Sequence, residues 1–284
     1  MENKWDVSLI VIVFGCLGLA AYSNIFFGSF QFDDVSSIVQ NLALRSPLQV
    51  GAVWNFWPTR FLAYFSFALN NYFHGLSVLG YHAVNFLIHL CSAVLVWVLT
   101  RLTFLTPAMK AEKISGRAQP IAFWAAVIFL VHPLQTEAVT YVVQRATSMA
   151  GCFCLGSLVL YAKARLIQER EPIFGSWKPF FLGAFALAVG AMFTKETAIV
   201  LPLMALLYEV CFFNTKQRDR KLARIFLLAI FIIPLTIVLT RSVDLAGFRR
   251  ISELSPATSP LFYFLTELRV IVTYLRLLIW PIGQ

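Results

Sequence analysis

Two adjacent carboxylates, Asp33 and Asp34, follow the first long apolar stretch of the chain, in a loop rich in aromatic residues. A carboxylate beside a bilayer is unfavourable unless water, a partner or a reaction stabilises it. A neighbouring carboxylate or desolvation would raise its pKa toward the working range of a general base. Asp is also common in turns, so a solvated turn is the alternative interpretation.

Two basic residues stand where they could bind a phosphate group. Arg60 begins the apolar segment after the aspartate loop, although an arginine in such a place also snorkels to lipid headgroups. Lys195 lies next to Glu196 between two apolar runs that have almost no loop between them. This pair either neutralises itself or leaves the lysine to bind phosphate.

Three polar residues, His82, Asn85 and His89, have the spacing i, i+3 and i+7 and therefore share one face of a helix. Polar groups on a membrane helix normally point toward partners or a water-filled cavity. Hydrogen bonding between helices is the alternative, and it applies most to His89. His82 is closer to the end of the helix and is the better candidate for a site.

The run from His132 to Arg145 is rich in hydrogen-bonding groups at the end of another apolar segment. His132 could be an interfacial residue, and Glu137 with Arg145 could form a surface ion pair. This run has more polar and charged side chains than a simple connecting loop requires, and we predict that they contribute to a functional site.

The composition fits a membrane protein that crosses the bilayer several times. Of 284 residues, 59% are hydrophobic and only 13% are charged. The net charge of +9 is carried mainly between apolar runs, so membrane topology explains it better than nucleic-acid binding. The five cysteines lack zinc-site spacing and behave as small hydrophobic residues.

Apolar segments predict an all-α integral membrane protein, a bundle of about seven or eight transmembrane helices. The first segment resembles a signal peptide, but its length favours a retained helix. Phe61–Tyr72 is shorter and is predicted to lie on the surface. The predicted spans are Val7–Phe27, Tyr81–Leu102, Pro120–Leu134, Met149–Ala162, Pro179–Phe193, Ala198–Phe213, a seventh ending near Thr240, and Leu261–Trp280.

Basic residues predict the orientation. With a cytoplasmic N-terminus, the loops on that side, including the one with Arg165, carry about twice as many Lys and Arg residues as those opposite. The aspartate loop, the His132–Arg145 run and the Lys195–Glu196 pair then all lie on the non-cytoplasmic side.

Several motifs occur in a characteristic order. They are Phe-Asp-Asp at 32–34, Arg-x-Leu-x-x-x-Ser-Phe-x-Leu-Asn from Arg60, His74-Gly75, Gly-Tyr-His-x-x-Asn from Gly80, His-Pro-x-x-Thr-Glu-Ala-Val from His132, Lys195-Glu196, and Leu-Arg-Leu-Leu-x-Trp-Pro from Leu275. The series resembles the transmembrane and tetratricopeptide-repeat O-mannosyltransferase-like family in its bacterial form. That family belongs to the GT-C class of membrane glycosyltransferases.

The resemblance implies a GT-C-like fold in which a hexose such as mannose moves from a polyprenyl-phosphate donor to Ser or Thr hydroxyls of a protein. Asp33 or Asp34, in the first outer loop, would be the general base. The implied donor-binding residues are Arg60, His82, His132, Glu137, Arg145, Lys195 and Glu196. A metal at Asp33, Asp34 and His132 is conceivable, but the resemblance implies no metal and no other cofactor. The implied location is a bacterial inner membrane, with the active face toward the periplasm.

Such proteins usually continue into further spans and a repeat domain. We therefore expect residues 1–284 to form a single GT-C-like domain that lacks those parts, which a partner chain could supply. The alternative to an enzyme is a non-catalytic membrane subunit or scaffold. A transporter is disfavoured because internal repeats and mid-span charges are missing from the sequence pattern.

Overall fold

The computed structural model of the chain describes residues 6–46, 49–171, 175–213, 228, 231 and 260–282. In this part of the chain the secondary structure is helical, without β-strands. The chain divides into two units, Met1–Ile233 and Pro234–Gln284. Every predicted site residue lies in the first unit.

Short 3-10 or π-helical turns connect longer α-helices throughout the first unit. The α-helices are α1 (Val7–Tyr22), α2 (Val50–Phe56), α3 (Phe61–His74), α4 (Val78–Phe104), α5 (Pro107–Lys110), α6 (Ala118–Val131), α7 (Thr136–Thr140), α8 (Arg145–Arg170), α9 (Lys178–Met192) and α10 (Leu201–Phe212), with α11 (Pro260–Ile279) in the second unit. Helix α1 begins after Asp6, whose carboxylate accepts a hydrogen bond from the Ser8 N–H at 2.9 Å and so caps the helix.

Four helical segments in the described residues are long and apolar enough to cross a membrane, namely Val7–Phe27, Val78–Phe104, Lys113–Val131 and Val142–Arg170. They correspond to the first four predicted spans, and the chain is an all-α membrane protein. Helices α9 and α10 have 15 and 12 residues, fewer than the roughly 20 that a span needs. Of the predicted seventh span only residues 228 and 231 are described, so the total of seven or eight stays a prediction.

Helix α4 packs against α1, α6 and α8. The contact with α6 is lined by small, fully buried residues, Ala93, Ala122 and Ala126. Small side chains let membrane helices approach closely, and the larger Phe14 and Trp97 fill the remaining space. His89 also joins these helices, because its Nε2 lies 2.9 Å from the Leu130 carbonyl oxygen. The prediction that His89 holds the bundle together fits this contact.

Helix α8 extends beyond the predicted Met149–Ala162 span at both ends. The prediction stopped short because of charged residues that the structure buries inside the helix. Arg165, predicted to lie in a cytoplasmic loop, is instead fully buried and binds Glu209 of α10 at 2.9 Å. A buried arginine is tolerated here because a carboxylate and several hydrogen bonds compensate its charge.

The loop that carries Asp33 and Asp34 is folded onto α3 rather than extended into solvent. Ile38, Leu44 and Val53 of the loop and α2 are buried against Tyr64 and Phe67 of α3. This apolar cluster fixes the loop at one end of the bundle, and therefore fixes the two aspartates that it carries.

Candidate active site

A cavity of about 270 Å³ lies beside the loop that carries Asp33 and brings together residues from distant parts of the sequence. Asp33, Arg60 and Lys195 all line it. A carboxylate and two cations thus face one small space, as a reaction between a nucleophile and an anionic leaving group would require. Neighbouring wall residues are Ser37, Trp57, Tyr64, Tyr141 and Gln144.

The two adjacent aspartates have different environments. Asp34 is 1% exposed, and its carboxylate accepts hydrogen bonds from the backbone N–H groups of Val143 at 2.8 Å and Gln31 at 3.1 Å. Burial raises the pKa of Asp34, and these backbone hydrogen bonds only partly offset the increase. Asp33 is exposed and lines the cavity. The side chain of Asp34 therefore fastens the loop, whereas that of Asp33 is open to a ligand.

The backbone before Asp33 is strained. Phe32 has a φ of 42°, in the left-handed region that non-glycine residues rarely adopt. Tyr141 supports this turn from the other side, because its hydroxyl oxygen accepts a hydrogen bond from the Asp33 N–H at 2.9 Å and its ring contacts Phe32 edge-on. The strained turn and Tyr141 together hold Asp33 at the cavity wall.

Arg60 is held by two neighbours while part of its guanidinium stays available. Its Nε lies 2.9 Å from Glu196 Oε2, and its guanidinium carbon lies 4.5 Å from the centre of the Trp57 ring. Among the described residues, the terminal Nη1 and Nη2 atoms have no hydrogen-bond partner. Burial alone would raise the pKa of Glu196, but hydrogen bonds, including those from Thr59 and Arg60, lower it below its usual value. Glu196 is therefore an ionised partner that orients Arg60.

Of the two alternatives for Lys195, the ion pair with Glu196 does not form, because the Glu196 carboxylate binds Arg60 instead. Its Nζ donates a hydrogen bond to Thr147 Oγ1 at 2.5 Å. Burial, and then the positive charge of Arg60, lower the pKa of Lys195. Two cations near each other in a half-buried site favour an anionic ligand between them.

The structure does not bring Arg145 to this cavity. Its side chain is fully buried, and it donates to Asn85 Oδ1 at 2.7 Å and to the carbonyl oxygens of Tyr81 at 3.0 Å and Ser66 at 3.3 Å. The guanidinium also lies over the Phe67 ring at 4.5 Å. Arg145 joins α3, α4 and α8, and its contacts give no support to the predicted phosphate-binding role.

Three further residues predicted to bind the donor, His82, His132 and Glu137, do not line the cavity with Asp33. His132 accepts a hydrogen bond at Nδ1 from the Leu134 N–H at 3.2 Å and caps a short turn. Glu137 Oε1 accepts a hydrogen bond from Gln144 Nε2 at 3.1 Å, so the alternative of a surface ion pair between Glu137 and Arg145 does not hold. His82 and Glu137 line a separate cleft. No group of three His, Cys, Asp or Glu side chains that could bind a metal occurs in the described part of the chain.

An apolar cavity of about 370 Å³ is lined mainly by residues of α4, α6, α8 and α10. Thr147, which binds Lys195, also lines this cavity, together with apolar residues such as Phe129, Leu155 and Met204. Lys195 lines the charged cavity and its partner Thr147 lines the apolar one, so this hydrogen-bonded pair connects the walls of the two cavities.

Sequence reasoning did not single out Tyr141, Trp57 or Thr147. Tyr141 falls inside the polar His132–Arg145 run, so its position was a usable signal. Trp57 is one of several aromatic residues in the loop and does not stand out among them, and Thr147 has no distinctive pattern. Their importance arises from contacts with Asp33, Arg60 and Lys195 that are remote in sequence.

The chain is similar in sequence to several proteins that are all named protein O-mannosyl-transferase. Protein O-mannosyl-transferase TMTC3 of Mus musculus is 32% identical over 221 residues, which cover 73% of this chain and 22% of the relative. TMTC4 of Homo sapiens is 31% identical over 204 residues (66% and 27%), and TMTC1 of Homo sapiens is 32% identical over 210 residues (67% and 22%). No protein-family model matches the chain, and no solved structure matches it.

These relatives confirm the predicted resemblance. The chain is a membrane protein similar to the N-terminal part of the transmembrane and tetratricopeptide-repeat O-mannosyltransferase-like family. It spans only 22% to 27% of the length of these curated relatives.

Proposed function

We propose that this chain is the catalytic membrane part of a glycosyltransferase that moves a hexose, such as mannose, from a polyprenyl-phosphate donor to Ser or Thr hydroxyls of proteins. The observation that carries the proposal is the cavity shared by Asp33, Arg60 and Lys195. The names of the relatives support the sugar and the acceptor, and the apolar helices support a lipid-linked donor.

Asp33 is the general base in this proposal. Its carboxylate removes the proton from the acceptor hydroxyl while the hydroxyl oxygen bonds to the anomeric carbon of the sugar. The bond from that carbon to the phosphate oxygen breaks, and its electron pair leaves with the polyprenyl phosphate. Asp34 is a positioning residue, because both of its carboxylate oxygens accept backbone hydrogen bonds.

Arg60 and Lys195 stabilise the leaving phosphate, which gains negative charge as the bond breaks. Glu196 orients Arg60 through the ion pair, and Thr147 orients Lys195. Because Glu196 binds only the Nε side of Arg60, the Nη atoms remain available for phosphate oxygens. This arrangement lets one cavity hold the phosphate and the base.

The polyprenyl chain occupies the apolar cavity beyond Thr147, in continuity with the lipid bilayer. Its apolar lining suits an isoprenoid, and the Lys195–Thr147 pair stands where the phosphate would join the chain. The reaction takes place at the non-cytoplasmic face, as the distribution of basic residues favours. In a bacterial cell this face is the periplasmic side of the inner membrane.

Sugar transfer from a radiolabelled polyprenyl-phosphate hexose to endogenous membrane acceptors tests the proposal. The intact chain is compared with Lys195→Met and Arg60→Met, and with Lys178→Met as a matched control outside the cavity. We expect donor binding and transfer to fall in the first two variants only. Donor binding without any transfer by the intact chain would favour the non-catalytic subunit. Loss of neither property in the two cavity variants would contradict the phosphate site.

A further inference from the structure

A second cleft, of about 660 Å³, is lined in part by the loop that carries Asp33, including Gly28 and Phe32. His82, Glu137, Phe32 and Tyr141 line it, and Tyr141 also lines the cavity with Arg60 and Lys195. The cleft and the cavity thus share one wall, next to Asp33. Asp33 itself is among the residues that line the cavity.

His82 indicates that the cleft is built to hold a ligand. The side chain is only 2% exposed, yet neither ring nitrogen has a hydrogen-bond partner among the described residues. A buried polar group without a partner costs free energy, so an occupant that bonds to it is the simplest explanation. Gly28 packs against this edge of the ring without crowding it, whereas a Cβ at that position would stand 3.1 Å from His82 Nε2 and 3.1 Å from the Ile25 carbonyl oxygen.

The lining defines the chemical class of the occupant. The described lining of the cleft contains no Lys or Arg, and its one charged group is Glu137. An anionic phosphate is therefore disfavoured, whereas a neutral ligand with hydrogen-bonding groups fits. Phe27 and Phe32 are 90% and 84% exposed at this cleft and offer apolar surface for side chains of such a ligand.

We propose that the cleft of His82 and Gly28 binds the acceptor, an extended Ser- or Thr-containing segment of a protein, and presents its hydroxyl to Asp33 past Tyr141. When a single carboxylate acts as base in a displacement at a sugar carbon, nucleophile and leaving group occupy opposite faces of the ring. The cationic cavity suits the leaving phosphate, so the adjoining cleft, whose described lining has no Lys or Arg, suits the nucleophile. His82 hydrogen-bonds to the peptide backbone. The assignment as acceptor site rests on the proposed function, whereas peptide binding itself does not.

Two equilibrium measurements on the full chain in nanodiscs test the proposal. One follows the fluorescence polarisation of a labelled Ser/Thr-rich peptide, with empty nanodiscs as background, and the other measures binding of polyprenyl phosphate. Gly28→Leu fills the cleft. Gly51→Leu is the matched control, because a Cβ at Gly51 meets no atom within 4 Å.

We expect Gly28→Leu and His82→Ala to raise the Kd of the peptide by at least about tenfold. Binding of polyprenyl phosphate should stay unchanged in both variants, which also shows that they fold, and Gly51→Leu should alter neither Kd. If Gly28→Leu fails to fold, His82→Ala carries the test alone.

Weaker binding of polyprenyl phosphate with unchanged peptide binding would assign the cleft to the donor and overturn the proposal. Absence of peptide binding to the intact chain would also overturn it, even if sugar transfer occurred. Peptide binding that depends on the cleft, in a chain that transfers no sugar, would uphold the binding site and count against the proposed function instead.

Discussion

Replacing Arg145 by methionine separates a structural role of this residue from the phosphate-binding role that its sequence neighbourhood suggests. Methionine keeps the length of the apolar stem, so contacts with Phe67 and Tyr81 are largely retained. The substitution removes the hydrogen bonds to Asn85 and to the Ser66 and Tyr81 carbonyls. It also removes a charge that is fully buried.

The expected loss in the free energy of unfolding depends on which buried groups lose a hydrogen-bond partner when Arg145 is replaced. The two carbonyl groups lie within α3 and α4, where helix hydrogen bonds still use them. The main loss is the partner of Asn85 Oδ1, and a buried acceptor without a partner costs about 1–3 kcal/mol. We therefore expect Arg145→Met to lower the free energy of unfolding by about 1–3 kcal/mol. Arg145→Lys should lower it more, by about 3–5 kcal/mol, because it keeps a buried charge that a single nitrogen cannot satisfy with the same acceptors.

Unfolding in mixed detergent micelles, followed by tryptophan fluorescence, measures these changes, with polyprenyl phosphate binding determined on the folded variants. The structural role predicts that lysine is a worse replacement than methionine. A phosphate-binding role predicts the reverse order, because lysine keeps the positive charge. Unchanged stability in both variants, with donor binding retained only by Arg145→Lys, would refute the reasoning.

Three further predictions follow from the contacts around the site. Asp34→Ala leaves two backbone N–H groups without their acceptor, so it should destabilise the chain by about 1–3 kcal/mol for each group, as measured by the same unfolding assay. Burial and Arg60 lower the pKa of Lys195 in the folded chain below its ordinary value of 10.5. Between the folded pKa and the unfolded pKa, the unfolded chain therefore binds more protons than the folded chain. The free energy of unfolding should therefore rise with pH across that interval, while the affinity for polyprenyl phosphate falls. When the free energy of unfolding is measured at a series of pH values, Lys195→Met should lack this part of the rise. Arg165→Leu leaves the Glu209 carboxylate buried and should cost about 3–5 kcal/mol, whereas the double replacement of Arg165 and Glu209 by leucine should recover most of that loss in a double-mutant cycle.

The long spans were predictable because length and apolar character alone define them. Val7–Phe27 and Val78–Phe104 match predictions made from a run of apolar residues. The limits of α8 were not predictable from the same signal, because Arg145 and Arg165 interrupt the apolar pattern. Arg145 donates a hydrogen bond to Asn85, 60 positions away in sequence, and the charge of Arg165 is compensated by Glu209, 44 positions away.

The residue types at the candidate site were predictable from the sequence. Which residue is buried, which is exposed and which contacts which were not. Asp33 and Asp34 are identical and adjacent, and their difference depends on Val143, 109 positions from Asp34. In the same way, the partner of Glu196 is Arg60, 136 positions away, rather than its neighbour Lys195. Such contacts belong to the tertiary structure, and no local spacing encodes them.

The most direct test of the account compares sugar transfer by Asp33→Asn and Asp34→Asn in membranes that contain equal amounts of folded protein. Asparagine keeps the size of the side chain but cannot accept the proton, so Asp33→Asn should abolish transfer while binding of polyprenyl phosphate stays unchanged. Asp34→Asn should keep measurable transfer and lose stability, because one of its two acceptor oxygens becomes an amide nitrogen. Full transfer by Asp33→Asn, or its loss only in Asp34→Asn at unchanged stability, would contradict the assignment of Asp33 as the base.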